Sequence, residues 1–187
     1  EKSKTMAIKK NYLLYSILSG FLFAVFFLYL KALLYLYSLQ QTVHSVSLFT
    51  VGIDFSMFYA AFSIAQTTSN NNPYDVATLM AALHSLHQTD NLSKLGFFYP
   101  PFFLLLIAPF SLLPYPLALL SWNVCFLFLY VYIMYKIAPT RFTIALALSF
   151  PAVFFNLRWS QNGFLLTSIL SYLLLSKNSN INTGLCL

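Results

Sequence analysis

The chain has 187 residues, of which 59% are hydrophobic, 19% aromatic and only 7% charged, where a soluble domain carries about a quarter charged residues. A soluble fold of this length cannot hide so much apolar surface, so soluble classes are excluded and a polytopic membrane protein is expected. The formal net charge of +6 does not imply a nucleic-acid partner, because Lys2, Lys4, Lys9 and Lys10 supply four of the ten basic residues and directly precede an apolar run, as on a cytoplasmic membrane flank.

That run predicts a first span over about residues 12–37, longer than the roughly 20 apolar residues a bilayer requires. Lys31 lies near its far end and can snorkel to the headgroups. A cleavable signal would have an apolar core of about 7–15 residues and small residues at a cleavage site; here the run is longer and ends in "LYLYSLQQ". The reading is an uncleaved anchor in the cytoplasmic (plasma) membrane, with its N-terminus cytoplasmic and residues 38–116 outside.

This outer loop holds all three histidines and three of the four acids, Asp54, Asp75 and Asp90. "SMFYAAFSIA" reads as a short helix lying on the membrane, "TTSNNNPYD" as a turn cluster, and "VATLMAALHSLH" as a second amphipathic helix. In 96–116, Pro100, Pro101, Pro109, Pro114 and Pro116 disfavour one straight helix, since an interior proline removes a hydrogen bond. The positive-inside rule also favours a segment that lies along the outer leaflet or dips into it. Spans are then predicted at about 117–136, 141–156 and 163–176, which puts "NLRWSQNG" back outside. The fold class expected is all-α, a polytopic membrane helical bundle forming one transmembrane domain over 1–187, with juxtamembrane helices in the outer loop.

Few residues can carry chemistry. Asp54 reads in two compatible ways: as the N-cap of the helix that follows, or as a partly desolvated carboxylate at the membrane surface, able to act as general base. Tyr99, before two prolines, has a locally restricted backbone and is either a positioning group or an interfacial anchor. Arg158 offers a planar fork suited to phosphate or anchors a loop at the interface. Gln161 can position a sugar or lipid. His84, His87 and Asp90 share a helical face, but the fuller ligand patterns of a metal site are missing, so no metal is expected. Cys125 and Cys186 fit neither a zinc spacing nor a disulfide framework. No phosphate-binding glycine motif and no acyl-transfer motif occurs.

The order of these elements forms a pattern. "GIDFSMFYAA", "NPYD", "FFYPPFFLLLIAPFSLLPYPLALLSW" and "FPAVFFNLRWSQNGFLL" together resemble glycosyltransferase family 87, polytopic membrane enzymes of the GT-C type, over about residues 10–175. The resemblance implies transfer of a hexose, mannose-like, from a polyprenyl-phosphate sugar donor to a lipid or glycan acceptor outside the cytoplasmic membrane. It implies no cofactor and no nucleic acid; membrane lipids are the remaining partners. Asp54 matches the family's acidic residue in the first outer loop, taken as the catalytic base. Ser160 stands where the family has the glycine of a Gly-Gln-Asn turn. The roles of Tyr99, Arg158 and Gln161 as substrate-binding residues are drawn from their chemistry alone. Family members are about twice as long, so the chain is expected to be an N-terminal portion, with activity of its own in doubt. The rival expectation is a non-catalytic membrane protein, transporter-like or a lipid-carrier-binding remnant. A transporter would show paired broken helices in two related halves.

Overall fold

A segment without proline, rich in Leu, Phe and Tyr, can hold one unbroken helix, and in the computed structural model α1 runs Lys2–Val43. The structure describes residues 2–43, 51–67, 72–87 and 96–185, with side chains in α1 from 12 to 38 and none beyond 175. Asp90, Lys94 and Cys186 lie outside the described residues. The remaining elements are α2 (Ile53–Gln66), α3 (Val76–His87), α4 (Phe103–Ser111), α5 (Tyr115–Ile137), α6 (Arg141–Ser149), α7 (Pro151–Trp159) and α8 (Gly163–Leu185). All described elements are helices, so the fold is all-α.

Among the described residues two helices are long and apolar enough to cross a bilayer, Tyr12–Ser38 within α1 and Tyr115–Ile137; α6 and α7 together make a third if counted as one bent span. Only 11% of the apolar window in α1 is buried within the chain, so its solvent is lipid. The sequence predicts a single span over 141–156. Within that stretch the structure bends by 57° between Ser149 and Pro151. Proline pushes the preceding residue out of the helical region, and Phe150 is extended, at φ −65° and ψ 130°. The apolar part of α8, Gly163–Leu175, is shorter than the roughly 20 residues of a full crossing. Helix α4 has nine residues and contains Pro109; at 1.5 Å per residue it reaches only about 14 Å.

The described helices divide into two compact units. The first comprises Glu1–Lys31, Phe126–Phe154 and Asn162–Leu187. With no water to satisfy a phenol in lipid, two of its tyrosines donate to main-chain carbonyls left open near the α6–α7 break. Tyr29 Oη donates to the Ser149 oxygen at 3.0 Å, and Tyr130 Oη to Ala147 at 3.3 Å. Ring contacts Tyr29–Phe154 and Tyr130–Phe164, both at 5.3 Å between centroids, complete the packing.

The second unit, Ala32–Cys125 with Phe155–Gln161, is built on aromatic rings. Helix α2 packs against α3 and α4, and Phe55, Phe58, Leu79, Leu83, Ile107 and Trp122 are almost fully buried. Phe55 and Phe58 lie 5.3 and 5.8 Å from Trp122, and Phe110 approaches the same indole at 5.3 Å. Tilted and edge-on pairs at such spacings are the favourable geometry for rings with a negative face and positive edge. This aromatic centre is what fixes α2, and α2 carries Asp54.

Candidate functional site

The site begins at a glycine. Gly52 has φ +80°, a conformation that costs L side chains energy, and it is the N-cap of α2 with no side-chain cap bond. Its N–H donates to the Arg158 carbonyl oxygen at 2.7 Å, and its own carbonyl accepts from Ser56 N at 2.9 Å and weakly from Tyr115 Oη at 3.3 Å. The first turn of α2 is thereby tied to the last turn of α7. A β-carbon at this position would stand 2.7 Å from Leu119 Cδ1. Gly52→Ala should therefore destabilise the protein by about 1–3 kcal/mol through left-handed strain and crowding, read as a lowered thermal midpoint in detergent. An unchanged midpoint would mean the turn is not held as described.

The expectation that Asp54 caps this helix is corrected by the structure. Asp54 falls inside the first turn and Gly52 occupies the cap. The capping carboxylate is Asp75, whose Oδ2 accepts from Thr78 N at 2.9 Å and Thr78 Oγ1 at 2.6 Å at the start of α3. Those bonds hold the Asp75 carboxyl below its usual pKa, so this cap is present at neutral pH and is lost as pH falls through the lowered value. Asp54 is differently placed. Burial raises its pKa, and a hydrogen bond with the Gln161 side chain pulls partly the other way. It remains a carboxylate not engaged in capping, half-buried at the surface of the second unit.

Gln161 reaches Asp54 because α7 ends in a Schellman turn. Ser160 takes the left-handed conformation, φ +54°, and Gln161 N–H donates back to the Asn156 carbonyl at 3.2 Å, the bond that defines this motif. A glycine would adopt that φ without strain; the serine is held there instead by its hydroxyl. Ser160 is fully buried; its Oγ donates to Leu157 O at 3.2 Å and accepts from Asn123 Nδ2 at 2.7 Å. Asn123 was not singled out from sequence, although an amide inside the apolar run "LALLSWNVCFLF" is the signal that marks it.

Tyr99 comes to the same place from the other side. Its ring stacks on Phe103 at 4.4 Å and meets Phe58 edge-on at 5.0 Å. Its main chain is held by the "NPYD" turn: Asn72 Oδ1 accepts from Tyr74 N at 3.0 Å, and Tyr74 Oη donates to the Tyr99 carbonyl at 2.8 Å. Burial raises the Tyr99 pKa, and the Asp54 charge raises it further, so the phenol stays protonated as a donor near the carboxylate. Arg158, expected in a loop, lies in the last turn of α7. It joins the site through its carbonyl, while its guanidinium stands 5.7 Å from the Trp159 ring centroid. Asp54, Tyr99, Gln161 and the Arg158 main chain thus converge, although they come from three separate stretches of sequence.

Of the histidine pair, His87 meets Tyr115 edge-on at 5.7 Å, and burial lowers its pKa, so it is neutral at physiological pH. Asp90, the third member expected on that face, lies outside the described residues. Among the described residues no three His, Cys, Asp or Glu side chains are grouped.

Residues 97–187 match the family model of glycosyltransferase family 87. The matched segment is just under half of the chain; it contains Tyr99, Arg158 and Gln161, and Asp54 lies before it. No curated protein and no solved structure matches the chain. The family 87 match, with the apolar helices, supports an integral membrane glycosyltransferase with donor and acceptor substrates, set among membrane lipids.

Proposed function

We propose that the protein takes part in an inverting glycosyl transfer at the outer face of the cytoplasmic membrane, of the GT-C type, from a polyprenyl-phosphate hexose, mannose-like, to a lipid or glycan acceptor. The observation that carries this reading is the state of Asp54. It is a half-buried carboxylate with its capping duty taken by Gly52, held by Gln161 and faced by Tyr99. In this reading Asp54 removes the proton of the acceptor hydroxyl as that oxygen attacks the anomeric carbon. The C–O bond to the donor phosphate breaks on the opposite face, and the polyprenyl phosphate departs with the electron pair. The leaving group is already a phosphate, so no nucleotide is needed. Tyr99 and Gln161 orient acceptor or sugar by hydrogen bonds, and Arg158 steadies the leaving phosphate through a charge-assisted contact. The chain is oriented with its N-terminus cytoplasmic and 38–116 outside, which the basic residues before Tyr12 support.

The pH dependence of transfer tests the assignment of the base. A raised Asp54 pKa places the acidic limb of kcat/KM above the ordinary aspartate value of about 4, because the protonated form cannot accept a proton. Gln161 lowers that pKa, so Gln161→Leu should move the limb to still higher pH while activity persists on the alkaline side. A limb that stays in place in Gln161→Leu would separate Asp54 from the proton transfer.

A further inference from the structure

The first unit contains a cavity of about 410 Å³ that the catalytic reading does not use. Tyr12, Tyr15 and Ser16 line it from α1, and Thr140, Arg141 and Phe142 from the start of α6. Tyr12 opens one candidate span and Arg141 opens the bent α6–α7 pair. A cavity at the ends of two such segments lies at headgroup depth, where tyrosines gather. Its walls are preformed: the Tyr15 and Phe142 rings meet edge-on at 5.6 Å, and Thr140 Oγ1 caps α6 by accepting from Thr143 N at 3.0 Å. Arg141 is the one charged residue of the lining and sits at the positive end of that helix.

Charge is distributed unevenly between the two units. Eight of the ten basic residues and only Glu1 of the four acidic ones belong to the first unit, a net of +7 against −1 in the second. An anion is therefore the complementary guest. The ring-lined walls give it an apolar continuation that a free phosphate lacks. We propose that this cavity binds the phosphodiester headgroup of an anionic phospholipid. Arg141 supplies the bidentate fork, Ser16 and Tyr12 supply hydroxyl donors, and Tyr15 and Phe142 flank the first carbons of an acyl chain.

The test is native mass spectrometry of the full chain from mixed micelles holding equal amounts of phosphatidylglycerol and phosphatidylcholine. The wild type should retain phosphatidylglycerol preferentially. Arg141→Ala should reduce that retention by about fivefold or more, the worth of one cation at an anionic surface, and Arg141→Lys should retain part of it. Lys136→Ala, a cation at the end of α5 outside the cavity, should change little. Equal retention of the two lipids by the wild type would overturn the proposal. So would equal losses in the Arg141→Ala and Lys136→Ala variants, which would indicate diffuse attraction. Displacement of the lipid by millimolar inorganic phosphate would overturn it in favour of a free-phosphate site. If circular dichroism shows that Arg141→Ala loses helix content, Arg141→Lys against Lys136→Ala decides: a preference untouched in Arg141→Lys and lowered in Lys136→Ala excludes the cavity.

Discussion

Asp54→Asn should lower sugar transfer by about a hundredfold or more, the usual contribution of a positioned general base, in the protein as its own gene encodes it. The amide keeps the shape of the side chain and can still bond Gln161, but it cannot take the acceptor proton. Helix α2 does not depend on it, since its cap is Gly52 and its packing runs through Phe55, Phe58 and Ala61. Expression and thermal midpoint should therefore stay near wild type. Asp75→Asn is the matched comparison. Asparagine caps a helix about as well as aspartate, so the turn before α3 survives and transfer should continue. A wild-type rate in Asp54→Asn with a lost rate in Asp75→Asn would show that the other carboxylate is the base.

Phe58→Ala should have the largest effect on stability, about 3–5 kcal/mol. Phe58 is fully buried, and its ring meets Tyr99, Phe103 and Trp122. Truncation opens a void that the surrounding rings, held by one another, cannot collapse to fill. The thermal midpoint in detergent should fall by many degrees. Transfer should also fall at temperatures where the variant is still folded, because the Tyr99 ring loses one of the rings that hold it. A midpoint within a degree or two of wild type would mean that the aromatic centre does not hold α2 against α4.

Much of this architecture is legible in the sequence because its causes are local. The extent of α3 follows from the apolar pattern and the "NPYD" turn, and the presence of α1 and α5 from run length, although α1 extends beyond the apolar run at both ends. The break at Phe150–Pro151 was also locally encoded, yet hydropathy merges the two pieces because proline does not interrupt an apolar run. The placement of Asp54 was harder to read. Its residue type favours an N-cap, and only the left-handed Gly52, fixed by a bond to the distant Arg158 carbonyl, moves the helix start and releases the carboxylate. The partnership of Asp54 with Gln161 joins distant parts of the chain. No periodicity encodes it; the "SQNG" turn gives a hint only once Ser160 is seen in a glycine's conformation.

The most direct measurement is transfer itself. Membranes carrying the protein as its own gene encodes it, incubated with radiolabelled polyprenyl-phosphate mannose and a membrane lipid extract as acceptor, should move label into a lipid or glycan product whose anomeric configuration is opposite to that of the donor. Donor that is bound but left intact would contradict the account by showing a binding protein. Label transferred with retained configuration would contradict it by requiring a covalent intermediate in place of a general base at Asp54.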